Sequence, residues 1–285
     1  MSETMLNTRY FPAENATPFF DVHRSPLIAD FNGSKLNVGR DALLTPDGDL
    51  LGVVSHNYKV VKNSDVRDLF DEFFNDFSVQ SVTDKVSNGS GKWIREYILN
   101  DDKYVANVGG DTVKTKAVVG NGYDGKTAAF MYLSAWRQVC SNGMMGWKNM
   151  IGQKFTHFAD DILGKLGGII DNNLLHMKDN FETWEEWSKI PFNEKQFMGF
   201  VDGQGYLSTK QKNTTKALYL PTMEKYKENE TKWGAYNVLT AIATHHTSSR
   251  NKKVANDFSN GHKVMTRMAK NFYSLPDDYQ AVAAA

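Results

Sequence analysis

The chain is short of the residues that build covalent or metal-linked scaffolds. Its 285 residues include one cysteine, Cys140. A lone thiol closes no disulfide within the chain, and a zinc site built from cysteines is excluded with it. No apolar run approaches the ~20 residues that a membrane-spanning helix needs. The first residues, MSETMLNTRYFPAEN, lack a basic segment followed by an apolar one, so no secretory signal is expected. Proline is scarce as well: seven residues, of which Pro12, Pro18, Pro26 and Pro46 crowd the start. Net charge is also missing, since 33 basic residues balance 33 acidic ones. No global field therefore draws this protein to a polyanion.

The charge that is present is unevenly placed. Residues 204–273 hold twelve Lys/Arg against four Asp/Glu, a surplus of +8 that the remainder cancels. Two readings follow: a polyanion partner for the C-terminal third, or an ordinary solvated helical surface.

Periodicity divides the chain in two. Residues 1–45 read as an irregular arm with short strands, because proline and polar residues interrupt every pattern. Residues 46–158 read as a β-rich core. LLGVVSHNYKVVKN has strand composition, and Val66, Leu69, Phe70, Phe73 and Phe77 recur at helical spacing behind the expected caps Asn63 and Ser64. A hairpin is predicted from residues 79–86 and 93–99 around Asn88-Gly-Ser-Gly91, and a further strand at residues 112–119. The period leaves residues 127–139 open between helix and strand. Residues 159–285 read as a helical region packed on the core. There Leu163, Leu166, Ile170, Leu174, Met177, Phe181 and Trp184 form one stripe, weakened early by Gly164, Gly167 and Gly168. Further helices are expected after Asn193, over residues 222–246 and over residues 263–272. The predicted class is α+β: an antiparallel sheet with hairpins and one packed helix, then a mostly helical C-terminal half.

One stretch matches a phosphate-binding pattern letter for letter: GNGYDGKT, residues 120–127. A nucleotide cradle needs a helix opening behind the loop and several further strand–helix units. The surroundings instead predict hairpins before it and helices after it. The stretch therefore reads as a turn, and an ATPase is the third choice among functions.

YDGKTAAFMYLSAWRQVCSNGM resembles the middle signature of a family of phage/plasmid-like proteins of unknown function, through Asp124, Gly125, Arg137, Val139, Cys140 and Asn142. VVSHNYKVVKN is similar to that family's early strand, through Tyr58 and Asn63. WGAYNVLTAIATHHTSSR with FSNGHKVMTRMAKNF is similar to its C-terminal end, through Trp233, Tyr236, Asn237, Thr240, His245 or His246, Gly261 and Ala269. The resemblance spans most of the chain after about Gly39, in three separated blocks. It implies a phage-type protein acting in the cytoplasm of a bacterial host.

No catalytic constellation emerges. Adjacent histidines such as His245 and His246 point about 100° apart on a helix and do not share an ion, so no metal or cofactor is expected. Cys140 has no histidine partner in sequence and reads as a small buried hydrophobe. The other pattern with chemical content alternates cations and rings: Tyr206, Lys210, Lys212, Lys216 and Tyr219, followed by Arg250, Lys252 and Lys253. Cations on phosphates and rings on bases hold single strands without sequence preference. The same pattern also arises when rings pack inward and lysines stay wet. The expectation is a single-stranded-DNA-binding protein, with strand annealing as the finer reading and a homo-oligomer as its form. Arg137 is an additional contact candidate. The hairpin-then-helix order is analogous to phage annealing proteins of the Erf and Redβ kinds, at the level of fold alone. The alternative is an inhibitor that binds a host defence protein or nuclease.

Overall fold

The computed structural model describes residues 10–12, 17–87, 91–137, 152–242 and 261–280. The chain is α+β, as its periodicity predicts. Its strands are β1 (Tyr10–Pro12), β2 (His23–Phe31), β3 (Ser34–Leu44), β4 (Leu50–Ser55), β5 (Val79–Ser87), β6 (Lys92–Leu99), β7 (Val105–Val108), β8 (Asp111–Gly122), β9 (Ala129–Arg137) and β10 (Gly152–Phe155). Helix α1 (Asn63–Phe73) lies between β4 and β5. After β10 come α2 (Ile162–Gly168), α3 (Ile170–Trp187), α4 (Glu194–Asp202), α5 (Thr209–Tyr226), α6 (Lys232–Ala241) and α7 (Gly261–Tyr273). Seven strands form one sheet in the order β1-β5-β6-β8-β9-β10, with β7 paired to β8, and β2-β3-β4 form another. The pairs β1–β5, β5–β6, β6–β8, β7–β8, β9–β10, β2–β3 and β3–β4 are antiparallel. Among the described residues no helix is long and apolar enough to cross a membrane.

Two compact units share the chain, and neither is one continuous segment. The first comprises Met1–Asp101, Lys116–Leu133 and Gly152–Leu174; the second comprises Asp102–Thr115, Ser134–Ile151 and Leu175–Ala285. In the first unit, a partly exposed polar brace pins α1 to the sheet. Arg95 on β6 donates to Asp84 on β5 and to Asp71 on α1, and the Tyr97 hydroxyl donates to Asp71 at 2.7 Å. Val66 and Phe70, on the same helix, are buried. The N-terminal arm is more regular than its prolines suggest: β2 and β3 pair from His23↔Leu44 to Phe31↔Ser34. Pro26 lies on edge strand β2 beside an irregularity in the β2–β3 register, the settings in which a strand tolerates proline.

Several boundaries differ from the periodic reading. Residues 129–137 are strand, because they pair into the sheet. Neither Asn63 nor Ser64 caps α1; Lys62 occupies that position, and Asn63 is buried with its amide donating to the Pro18 carbonyl. The apolar stripe is cut at Ile169, so the glycines end α2 before α3 begins. Asn193 does cap α4, in a reciprocal pairing with Gln196. Lys227, in left-handed backbone geometry, separates α5 from α6 within the region expected to be one helix.

The second unit is held by aromatic rings. Trp184 lies 5.3 Å from Trp233, Trp187 lies 4.7 Å from Tyr273, and Phe197 stacks on Tyr219 at 4.1 Å. Met177 on α3 is wholly buried, whereas Leu175 is 64% exposed. Met177→Asp is therefore expected to cost at least about 3 kcal/mol, by lost packing and an unpaired buried charge. Leu175→Asp is expected to stay within about 0.5 kcal/mol of wild type. Urea denaturation of both variants checks this; equal midpoints would show that α3 presents a different face to the core.

Candidate nucleic-acid interface

The phosphate-pattern stretch is a turn between neighbouring strands. Residues 120–122 end β8, residues 123–126 bend, and β9 begins at Ala129 with no helix behind the loop. Asp124 organises the bend: its Oδ1 accepts the N–H groups of Lys126 at 3.0 Å and Thr127 at 2.7 Å. These are the donors a phosphate would need, and the protein's own carboxylate holds them. Burial would raise the Asp124 pKa. The two N–H groups and the Lys92 ammonium, 3.0 Å away, outweigh burial and keep the carboxyl below its usual range. Gly125 has φ of +71°, a conformation that favours glycine, and an added Cβ would lie 3.1 Å from Val54. Gly52 on β4 runs so close beneath the bend that a Cβ there would sit 2.5 Å from the Tyr123 carbonyl oxygen.

This bend fixes the loop that follows β4, residues 56–62. The buried Tyr58 hydroxyl donates to the Gly122 carbonyl at 3.0 Å, and the Asn121 amide donates to the Val61 carbonyl at 2.6 Å. Asn121 also reaches Asn63 Oδ1 at 3.0 Å, and the Asn63 N–H donates to the Tyr123 hydroxyl at 2.7 Å. Burial pushes the Tyr123 hydroxyl up to about 12, so it stays protonated. On the other side, Lys59 N–H donates to the His157 carbonyl at 2.7 Å, and the His157 ring Nδ1 meets the Lys59 carbonyl at 2.8 Å. Burial holds the His157 pKa below the usual imidazole range. The ring stacks on Tyr58 with centroids 4.4 Å apart. The loop is thus irregular in backbone but tied at both edges.

Above it lies an open depression lined by Arg24, His56, Tyr58, Lys59 and Phe158. The nearly buried Asp41 carboxylate orients its floor. Oδ2 lies 2.9 Å from His56 Nδ1 and 3.5 Å from Arg24 Nε. Arg24 also donates to the Tyr58 carbonyl, and Lys59 pairs with the exposed Asp160. The Phe158 ring stands edge-on to Tyr58 and is 57% exposed. Arg24 of β2 and His56 and Lys59 of the fixed loop thus line one depression with the solvent-facing Phe158 ring.

The residues expected from sequence fall into separate places. Tyr58, Asn63, Asp124 and Gly125 meet in the network just described. Arg137 and Asn237, a hundred positions apart, meet through Glu228 in the second unit. Arg137 donates to Glu228 Oε1 at 2.7 Å and to Asp111, while the Asn237 amide donates to Glu228 Oε2 at 3.0 Å. The Arg137 guanidinium lies 5.6 Å from the Trp233 ring centroid. Burial alone would lower the Arg137 pKa, yet the two carboxylates raise it; burial raises that of Glu228. Arg137 is 2% exposed, so it is no surface contact. Tyr219 is likewise buried against Phe197, because the helical period turns it inward. Tyr206 is half-buried beneath Arg267, whose guanidinium lies 4.2 Å from the ring centroid. Lys212 donates to the Asp202 carbonyl and Lys216 to the Asp202 carboxylate, and Lys210 is exposed. Cys140, Asn142, His245, Arg250, Lys252 and Lys253 lie outside the described residues.

The family described as a domain of unknown function (DUF932) matches residues 50–265. The chain belongs to that family. No curated protein matches, and no solved structure does. The matched stretch runs from the start of β4 into α7, so it includes Tyr58, Asp124, Arg137 and Asn237. Arg24 and Asp41 lie before it. The family's description names no activity, and the chemistry of the depression is read from its residues alone. Sequence reasoning passed over Arg24, Asp41, His56, Lys59 and Phe158. Their one legible signal was His56-Asn57-Tyr58-Lys59, a polar, aromatic loop directly behind a strand.

Arg137 has a structural task that can be measured. Arg137→Gln leaves Glu228 buried without its cation and is expected to cost about 3–5 kcal/mol. Guanidinium denaturation checks the loss; unchanged stability accompanied by lost oligonucleotide binding would reassign Arg137 to the interface.

Proposed function

We propose that the protein binds single-stranded DNA through the depression beside residues 56–62. One observation carries this reading: Arg24 of β2, and His56 and Lys59 of a loop fixed by buried hydrogen bonds, line one depression together with the exposed Phe158 ring. Cations match phosphates, and an exposed ring gives a base a face to stack on without sequence preference. The pairing of Lys59 with Asp160 does not oppose this. Both side chains are at least half exposed, and such pairs contribute only about 0–1 kcal/mol, so a phosphate can replace the carboxylate. Fixing the loop in advance also removes part of the ordering cost of binding. Strand annealing and a phage origin are finer readings, supported by the sequence resemblance alone.

A second reading, a module that docks on another protein, is favoured by a different surface. Phe31, Leu36 and Val38 share one side of the β2–β3 ribbon and are 66%, 52% and 48% exposed. Exposed apolar surface of this kind suits a protein partner better than a polyanion.

Fluorescence anisotropy with a labelled oligothymidylate at ~50 mM salt separates these readings. Lys59→Ala is expected to weaken binding about ten-fold and to flatten the plot of log affinity against log salt by about 0.7. Phe158→Ala is expected to weaken binding by about 1–3 kcal/mol at little change of slope. No binding by wild type would leave the protein-docking reading. Loss of binding only in the combined Lys210→Ala, Lys212→Ala and Lys216→Ala variant would move the interface to α5.

A further inference from the structure

His56 occupies a place in the depression that neither ring stacking nor a fixed positive charge explains. Its Nδ1 lies 2.9 Å from Asp41 Oδ2, and the Asp41 side chain is only 4% exposed. A carboxylate accepts, so Nδ1 carries the hydrogen and donates it. Nε2, on the far side of the ring, is turned away from Asp41, and the side chain is half exposed where it lines the depression. The charged groups about the depression are Asp41 on β3, bonded to the ring, Arg24 on β2, and Lys59 on the ring's own loop with its partner Asp160. A phosphate bound beside the ring would accept a hydrogen bond from a protonated Nε2–H directly.

We propose that Arg24, His56 and Lys59 form a proton-linked phosphate site, in which Asp41 fixes the His56 ring so that Nε2 meets the ligand. This rests on the nucleic-acid reading for its natural ligand, a backbone phosphodiester, but its chemistry is that of any phosphate. Because binding and protonation favour each other, phosphate affinity rises on acidification. Asp41 distinguishes the site from a loose surface histidine, since the ring is already aimed when the ligand arrives.

The test is anisotropy with a labelled oligothymidylate at about pH 5.5 and about pH 8, across a salt series, with inorganic phosphate as a separate competitor. Wild type is expected to bind about ten-fold more tightly at the lower pH, with a salt slope steeper by about 0.7. His56→Gln, folded by circular dichroism, should lose that gain, while the control His176→Gln, on α3 and partly exposed beside Asp179, should keep it. Competition by inorganic phosphate that follows pH in the same way, without oligonucleotide binding, would support the phosphate site and refute the nucleic-acid reading. Equal affinity at both pH values, or a gain that survives His56→Gln, would overturn the inference while leaving nucleic-acid binding intact.

Discussion

The loop of residues 56–62 has no regular secondary structure, yet the candidate interface depends on its holding one shape. Backbone that leaves a sheet must find partners for its N–H and C=O groups, or pay for their burial. Here strand β8 and its bend supply them. Tyr58 bonds the Gly122 carbonyl, Asn121 bonds the Val61 carbonyl, and His157 and Lys59 exchange hydrogen bonds at the opposite edge. Each bond is worth about 1 kcal/mol net, but leaving any of these buried groups unpaired costs about 1–3 kcal/mol. The loop is fixed less by the strength of its contacts than by the cost of losing them.

That constraint explains the form of the 120–127 stretch. The bend must bring Gly122 and Tyr123 under the loop, and it must pass close to Gly52. Asp124 achieves both by collecting the N–H groups that follow it. A sequence that matches a nucleotide cradle thus has its anion built in, as a carboxylate two residues before Lys126. The second unit uses a buried ion pair in a comparable way. Arg137, Glu228 and Asn237 join segments far apart in the chain, beside the Trp184–Trp233 contact.

Much of the fold was legible because burial imposes a period. Helix α1, the β5–β6 hairpin, the apolar stripe of α3 and the capping of α4 all follow from spacing or from a single capping residue. Strand β9 was not legible by period. It is buried along most of its length, and a strand covered on both faces shows no alternation. The candidate site was harder still. Arg24, Asp41, His56 and Phe158 come from four separate stretches, and none carries a pattern in sequence that ties it to the others. The basic C-terminal segment drew attention because its charges are contiguous in sequence. Contiguity there reflects helix surface: Lys212 and Lys216 return to Asp202, while Tyr219 turns into the core.

In the proposed complex, single-stranded DNA lies across the depression, with a base against Phe158. Photocrosslinking with an oligonucleotide carrying 4-thiothymidine, followed by mass spectrometry of the digested protein, tests it at the level of residues. The account predicts attachment at Phe158, Tyr58 or Lys59. Attachment confined to α5, or to the exposed side of the β2–β3 ribbon, would contradict it.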